Sequence, residues 1–154
     1  MKKAIDIKLT PAGFEKLKEE QMFLLEKRPG VVKRLTAARE QGDLSENAGY
    51  HAAKEELGYV DSRLRMLKLL IRSADVVEAT SSDIVTFGCT VTVNSGDETR
   101  NFTIVSGLEA DPAHGKMSDS SPIGSALIGK KVGDIVEISV PDGKAIYQLI
   151  KIAK

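Results

Sequence analysis

One register dominates the first half of the chain. From Tyr50 through Ala53, Leu57, Val60, Leu64, Leu67 and Ile71 to Ala74, apolar residues recur at alternating steps of three and four without exception. That spacing lines one edge of an α-helix for packing against another. Upstream, the same register gives Phe14, Leu17, Gln21, Leu24, Arg28, Val31, Leu35 and Ala38, where six of eight positions are apolar. Two seams predict two helices that face each other. Only Gln41-Gly42-Asp43-Leu44-Ser45 lies between them, so the helices must fold back antiparallel. Each arm of about 30 residues would extend roughly 45 Å at 1.5 Å per residue. Thr10-Pro11 suits the start of the first helix, since threonine caps and proline is tolerated at the first helical position. Pro29-Gly30 predicts an interruption with a kink near residue 29, the seam resuming at Val31.

After Glu78 to Ser82 the preferred period falls to two, and short β-branched runs are punctuated by glycine. Strands are predicted over Ile84 to Val93, Arg100 to Val105, Ile135 to Val140 and Ala145 to Ile152. Asn94-Ser95-Gly96-Asp97 and Pro141-Asp142-Gly143 have hairpin chemistry, and Pro122 to Ile128 suits a short helix. The expected class is α+β: a long antiparallel coiled-coil hairpin over residues 1–78, then a compact, mainly antiparallel sheet domain with a short helix over residues 79–154. Lys plus Arg equal Asp plus Glu at 22 each, so any nucleic-acid contact must be local rather than a bulk electrostatic coat. The single cysteine, Cys89, excludes an intramolecular disulfide framework and a cysteine-rich zinc site. No stretch approaches the roughly 18 to 20 apolar residues of a membrane span, and Met1-Lys2-Lys3 is not followed by a signal-peptide core. The expectation is a cytoplasmic protein with no membrane partner.

The sequence between the helices, Gly42 to His51, carries Asp43 and Glu46 three residues apart, so that both would share one face at the start of the second helix. One reading is a capping arrangement, with Asp43 accepting backbone N–H bonds and Glu46 reaching back. The other is a metal site. Two exposed carboxylates are too few to hold Mg²⁺ tightly, because that ion keeps several waters and needs further carboxylates or phosphates. Such a site would have to be completed inside another enzyme's active centre, where a second metal assists phosphodiester hydrolysis. Lys27, Arg28, Lys33, Arg34 and Arg39 form a basic run, and residues 27–39 contain no acid. Phosphate contact and a solvated helix face are its two readings. The four-residue spacing of His51 and Glu55 fits a weak metal pair or an exposed helical hydrogen-bonding pair; the second reading is preferred, and His51 is assigned no chemistry.

Four segments carry a resemblance: Leu9-Thr10-Pro11-Ala12-Gly13, Lys27-Arg28-Pro29, the run GDLSENAGYHAAKE from Gly42 to Glu55, and SPIGSALIGKKVGD from Ser121 to Asp134. In that order they resemble the Gre family of bacterial transcript cleavage factors. The resemblance implies an N-terminal coiled coil inserted through the secondary channel of bacterial RNA polymerase, and an FKBP-like C-terminal domain docked at the channel rim. It further implies that Asp43 and Glu46 help hold a second Mg²⁺, shared with the polymerase, and orient the attacking water. The protein would act as a monomer, stimulate the polymerase's own cleavage of backtracked nascent RNA, and cut no RNA alone. Lys33, Arg34 and Arg39 would contact the extruded RNA 3′ end, while Ser45, Asn47 and Tyr50 shape the tip. Ser121, Pro122, Ile123 and Gly124 match the segment that grips the β′ coiled coil. The same four residues also read as a strand-to-helix turn with Pro122 at the first helical position.

Three positions depart from the family pattern: Gly49 and Gly30 stand where acids are usual, and Asp119 where an apolar or small polar residue is. The competing readings are a Gre-like regulator that inhibits polymerase, an FKBP-type prolyl isomerase with a helical appendage, and a structural adaptor whose acids only cap a helix. Phe87, Phe102 and Tyr147, the only aromatics after residue 78, are too sparse for an aromatic-lined proline pocket.

Overall fold

The computed structural model describes residues 7–42, 45–80 and 83–154. Phe14–Ala74 clusters as one compact unit; Asp75–Lys154, together with the described residues up to Gly13, clusters as the other.

In the first unit, α1 (Pro11–Arg39) and α2 (Ala48–Ser73) pair antiparallel. The seam residues face inward as the register demands: Leu24, Val31, Leu35 and Ala38 of α1 and Ala53, Val60 and Leu67 of α2 are all buried. Leu24, Val60 and Leu67 form the central cluster, with Leu17, Leu64 and Ile71 packed against it. Ion pairs flank the seam. Glu20 meets Arg63 at 2.6 Å, Arg28 meets Asp61 at 2.6 Å, and Glu56 takes both Arg34 at 2.9 Å and Lys27 at 3.2 Å.

The interruption expected at Pro29-Gly30 does not occur, since α1 runs through Pro29 as one helix. A proline inside a helix forfeits one i→i−4 bond. Here Leu24 and Val31, both buried on the seam, and the Arg28–Asp61 fork hold the helix on either side of that gap. Among the described residues no helix is long and apolar enough to cross a membrane.

The second unit is built on a five-stranded sheet of β3 (Thr90–Ser95), β4 (Glu98–Val105), β5 (Lys116–Ser118), β6 (Ile135–Val140) and β7 (Gly143–Ala153), in the order β5-β4-β3-β7-β6. All neighbours pair antiparallel except β4 and β5, which are parallel, so the sheet is mixed. The short helix α3 (Pro122–Leu127) joins Val85, Val91, Phe102, Ile104, Ile138 and Leu149 in the core through Leu127. A separate two-stranded sheet pairs β1 (Ile7–Leu9) with β2 (Ala74–Val76).

The strand expected from Ile84 starts only at Thr90. Ile84 makes an isolated bridge to Lys131, and Gly88, at φ +88°, turns the chain and donates its N–H to the Ile104 carbonyl at 2.8 Å. Gly96 and Gly143 have positive φ at the two hairpin turns, as the turn chemistry required.

Candidate functional site

The hairpin tip is the loop of residues 40–47, of which Asp43 and Leu44 lie outside the described residues. α2 begins later than a cap at Asp43 would allow. Asn47 is its N-cap: the side-chain carbonyl accepts from the Tyr50 N–H at 2.9 Å, and the amide donates to the Ala38 carbonyl at 2.8 Å. One side chain thus satisfies an orphan donor at the start of α2 and an orphan acceptor at the end of α1. Glu46 precedes the cap, in a turn and exposed, so the shared helical face expected for the two acids is absent on its side. Among the described residues it has no hydrogen bond or ion pair. The reciprocal capping contact expected between Glu46 and Asp43 lies outside the described residues.

The basic run divides in two. Lys27, Arg28 and Arg34 are tied to Glu56 and Asp61 of the opposite helix. The Arg34 and Lys27 hydrogen bonds hold the Glu56 carboxyl below its ordinary value, and the Arg28 fork does the same for Asp61. Lys33 and Arg39 are exposed and pair with no carboxylate among the described residues. The Arg39 guanidinium stands 6.0 Å from the Tyr50 ring centroid and the Lys54 ammonium 5.9 Å, which draws two cations to one aromatic ring just below the tip. A groove of about 340 Å³ beside them is lined by small residues, Ala37, Ala38, Gly49 and Ala53 among them, together with Arg34 and Asn47. His51 does not pair with Glu55; its Nε2 lies 3.4 Å from the Ser45 carbonyl.

Glu56 is the residue that sequence reasoning missed. Its signal was present in the two registers: once Leu24 is set opposite Val60, Glu56 falls within one position of Lys27 across the flank of the seam.

In the second unit Ser121 is the N-cap of α3, accepting from Gly124 N–H at 3.0 Å while its hydroxyl donates to the Ser118 carbonyl at 2.7 Å. Pro122 occupies the first turn and is exposed, Ile123 packs against the core, and Gly124 is buried. A Cβ on Gly124 would lie 1.9 Å from the Ser118 carbonyl oxygen, so only glycine fits. Ser121 to Gly124 therefore form a rigid turn with one exposed proline. Among the described residues no group of three or more His, Cys, Asp or Glu is gathered to hold a metal.

Sequence comparison places this helical hairpin and mixed sheet in a class of transcription factors. Residues 7–76 match the family described as transcription elongation factor, N-terminal, and residues 80–154 match transcription elongation factor, GreA/GreB, C-terminal. The transcription elongation factor GreA of Bacillus licheniformis is 43% identical over 150 residues, covering 94% of this chain and 95% of the relative. That of Thermoanaerobacter pseudethanolicus is 43% identical over 151 residues, covering 95% and 96%. The chain belongs to the GreA/GreB family of transcription elongation factors. Among solved structures, GreA factor homolog 1 of Thermus thermophilus aligns over 97% of this chain and 100% of its own, at 29% identity and a TM-score of 0.46.

Proposed function

We propose that the protein stimulates the endonucleolytic cleavage of backtracked nascent RNA by bacterial RNA polymerase, releasing a short 3′ fragment and returning the complex to elongation. Membership of the family supports the partner. The observation that carries the mechanism is that Asn47 caps α2, leaving Glu46 exposed and with no hydrogen bond or ion pair among the described residues.

Asp43 and Glu46 would hold a Mg²⁺ shared with the polymerase once the hairpin enters the secondary channel. Carboxylate oxygens suit that hard cation, and two of them leave most of its coordination to water, polymerase and RNA phosphate. When bound, the ion supplies a water of lowered pKa and stabilises charge developing on the phosphodiester. The chain's own part is placement. The two carboxylates orient the attacking water, and Lys33 and Arg39, unencumbered by carboxylates among the described residues, meet the phosphates of the RNA 3′ end. Arg34, exposed at its own end of the pair, joins them by exchanging its contact with the half-buried Glu56. The rigid turn Ser121-Pro122-Ile123-Gly124 offers its exposed proline to the polymerase β′ coiled coil. The chain itself is not a nuclease, because its share of the metal site is incomplete.

The test is cleavage of RNA in backtracked polymerase complexes with Mg²⁺, comparing the native protein with Asp43→Asn and Glu46→Gln while measuring polymerase binding in parallel. Cleavage should collapse in both variants with binding retained. Cleavage that survives both substitutions removes the metal-sharing mechanism. A native protein that binds without stimulating cleavage is instead an inhibitory occupant of the channel.

A further inference from the structure

The carboxylates that cross the hairpin seam are not all held in the same way. Both oxygens of Glu20 are taken by one guanidinium, that of Arg63, at 2.6 and 2.9 Å. Arg28 forks Asp61 likewise, at 2.6 and 3.3 Å. Glu56 instead divides its oxygens between two cations: Lys27 Nζ stands 3.2 Å from Oε1 and Arg34 Nη1 2.9 Å from Oε2. One negative charge meets two positive ones, so the cluster keeps a net positive charge that still attracts an anion. Both cations stand on α1, seven residues and two helical turns apart, with side chains 40% and 59% exposed. Their hydrogen bonds hold the Glu56 carboxyl below its ordinary value, so at neutral pH it is ionised. Lysine carries three donors and arginine five, so one carboxylate oxygen exhausts neither. Phosphate oxygens suit the same donors in the same geometry. Arg34 also lines the groove that it shares with Asn47 and Gly49, which makes the cluster continuous with the tip.

We propose that Lys27 and Arg34 form a phosphate-binding site on the flank of the hairpin, that Glu56 occupies it in the free protein, and that a phosphate of the extruded RNA displaces Glu56. The proposal rests on the function proposed above and adds Lys27 to the residues that meet RNA. Glu56 is then a built-in competitor, an anion supplied by α2 that the RNA must outbid for cations of α1. Its presence lowers the affinity for extruded RNA, and it keeps the two side chains gathered at one point while no RNA is there.

The experiment measures binding of full-length native protein, Glu56→Gln, Glu55→Gln and Lys27→Gln across a salt series. Two polymerase complexes are compared, one backtracked with extruded RNA and one with no RNA extruded. Glu56→Gln should bind the backtracked complex about two- to fivefold tighter at low salt, the worth of the competing ion pair. The gain should shrink as salt rises, because screening weakens that pair. Glu55 is exposed and pairs with nothing among the described residues, so Glu55→Gln, which removes the same charge one position away, should bind as the native protein does. Lys27→Gln leaves the Arg34–Glu56 pair in place and should flatten the slope of log affinity against log salt by about 0.7, the value for one phosphate contact on a single strand. None of these differences should appear on the complex with no extruded RNA, and helical circular dichroism should match in all four proteins. The site is overturned if Glu56→Gln binds no tighter, if Glu55→Gln gains as much, if the gain persists without extruded RNA, or if Lys27→Gln keeps the native slope. Cleavage is followed in the same backtracked complexes. Native protein that binds without stimulating it removes the proposed function, while the salt series still decides the phosphate site; native protein that does not bind polymerase removes both.

Discussion

The helical hairpin and the sheet unit solve the same problem with different means. The sheet unit gathers ten buried residues, from Val85 to Leu149, into one core cluster layered between strands and α3. The hairpin's central cluster holds only Leu24, Val60 and Leu67, because two helices in contact bury a single seam and leave the rest to water. Its flanks are accordingly bound by ion pairs across the helices, at Glu20–Arg63, Lys27–Glu56–Arg34 and Arg28–Asp61. A slender element that must keep both faces wet takes its register from charge as well as from apolar packing.

The sharpest contrast should come from truncating one fully buried leucine in each unit. Leu149→Ala removes a side chain enclosed on all sides by the sheet core and should destabilise that unit by about 3 to 5 kcal/mol. Leu67→Ala opens a seam that can close by a small shift of one helix, and should cost nearer about 2 kcal/mol. Hydrogen exchange read separately in the two units checks both; equal costs would remove the distinction between a layered core and a seam.

Next in size is the tip. Asn47→Ala loses the α2 cap and the bond to Ala38, and should destabilise the hairpin by about 1 to 2 kcal/mol with faster exchange of the Tyr50 amide. A smaller effect of opposite sign is expected at Gly58, in the interior of α2, where a Cβ meets nothing within 4 Å. Gly58→Ala should raise hairpin stability by about 0.5 to 1 kcal/mol, read from its denaturation midpoint.

The smallest effect is with pH. Hydrogen bonds from Arg63, Arg34 and Arg28 depress the carboxyls of Glu20, Glu56 and Asp61 below their ordinary values. A group depressed on folding stabilises above its unfolded pKa and loses that contribution as pH falls through its folded one. The hairpin should therefore hold constant stability from neutral pH down to the ordinary carboxylate range near 4, and weaken below it. These pairs are half-exposed, so high salt should weaken the dependence. Helical and sheet signals followed through the same acid titration should separate, the hairpin melting first.

Where structure followed local pattern it was legible. The seam residues Leu24, Val31, Leu35, Ala38, Ala53, Val60 and Leu67 are buried as their spacing required, and the glycines at 96 and 143 turn the hairpins they punctuate. At Pro29 the helix continues where a local rule predicts an interruption, and the seam and the Arg28–Asp61 fork hold it on either side. β5, three residues long and parallel to β4, has no period to detect and exists because β4 offers it an edge. At the tip the residue types were readable and their division of labour was not. Asp43, Glu46 and Asn47 are all plausible caps on paper, and only the reach of Asn47 to the Ala38 carbonyl decides among them.

The sequence by itself determined the two helical registers, the change of period after residue 78, the family, and which residues can bear charge at the tip. Those are properties of spacing and side-chain chemistry, carried by each segment alone. Only the tertiary structure decided which cations are held by Glu56 and Asp61 and which remain exposed. Contacts between residues dozens of positions apart depend on how two finished elements dock, and no local pattern encodes that.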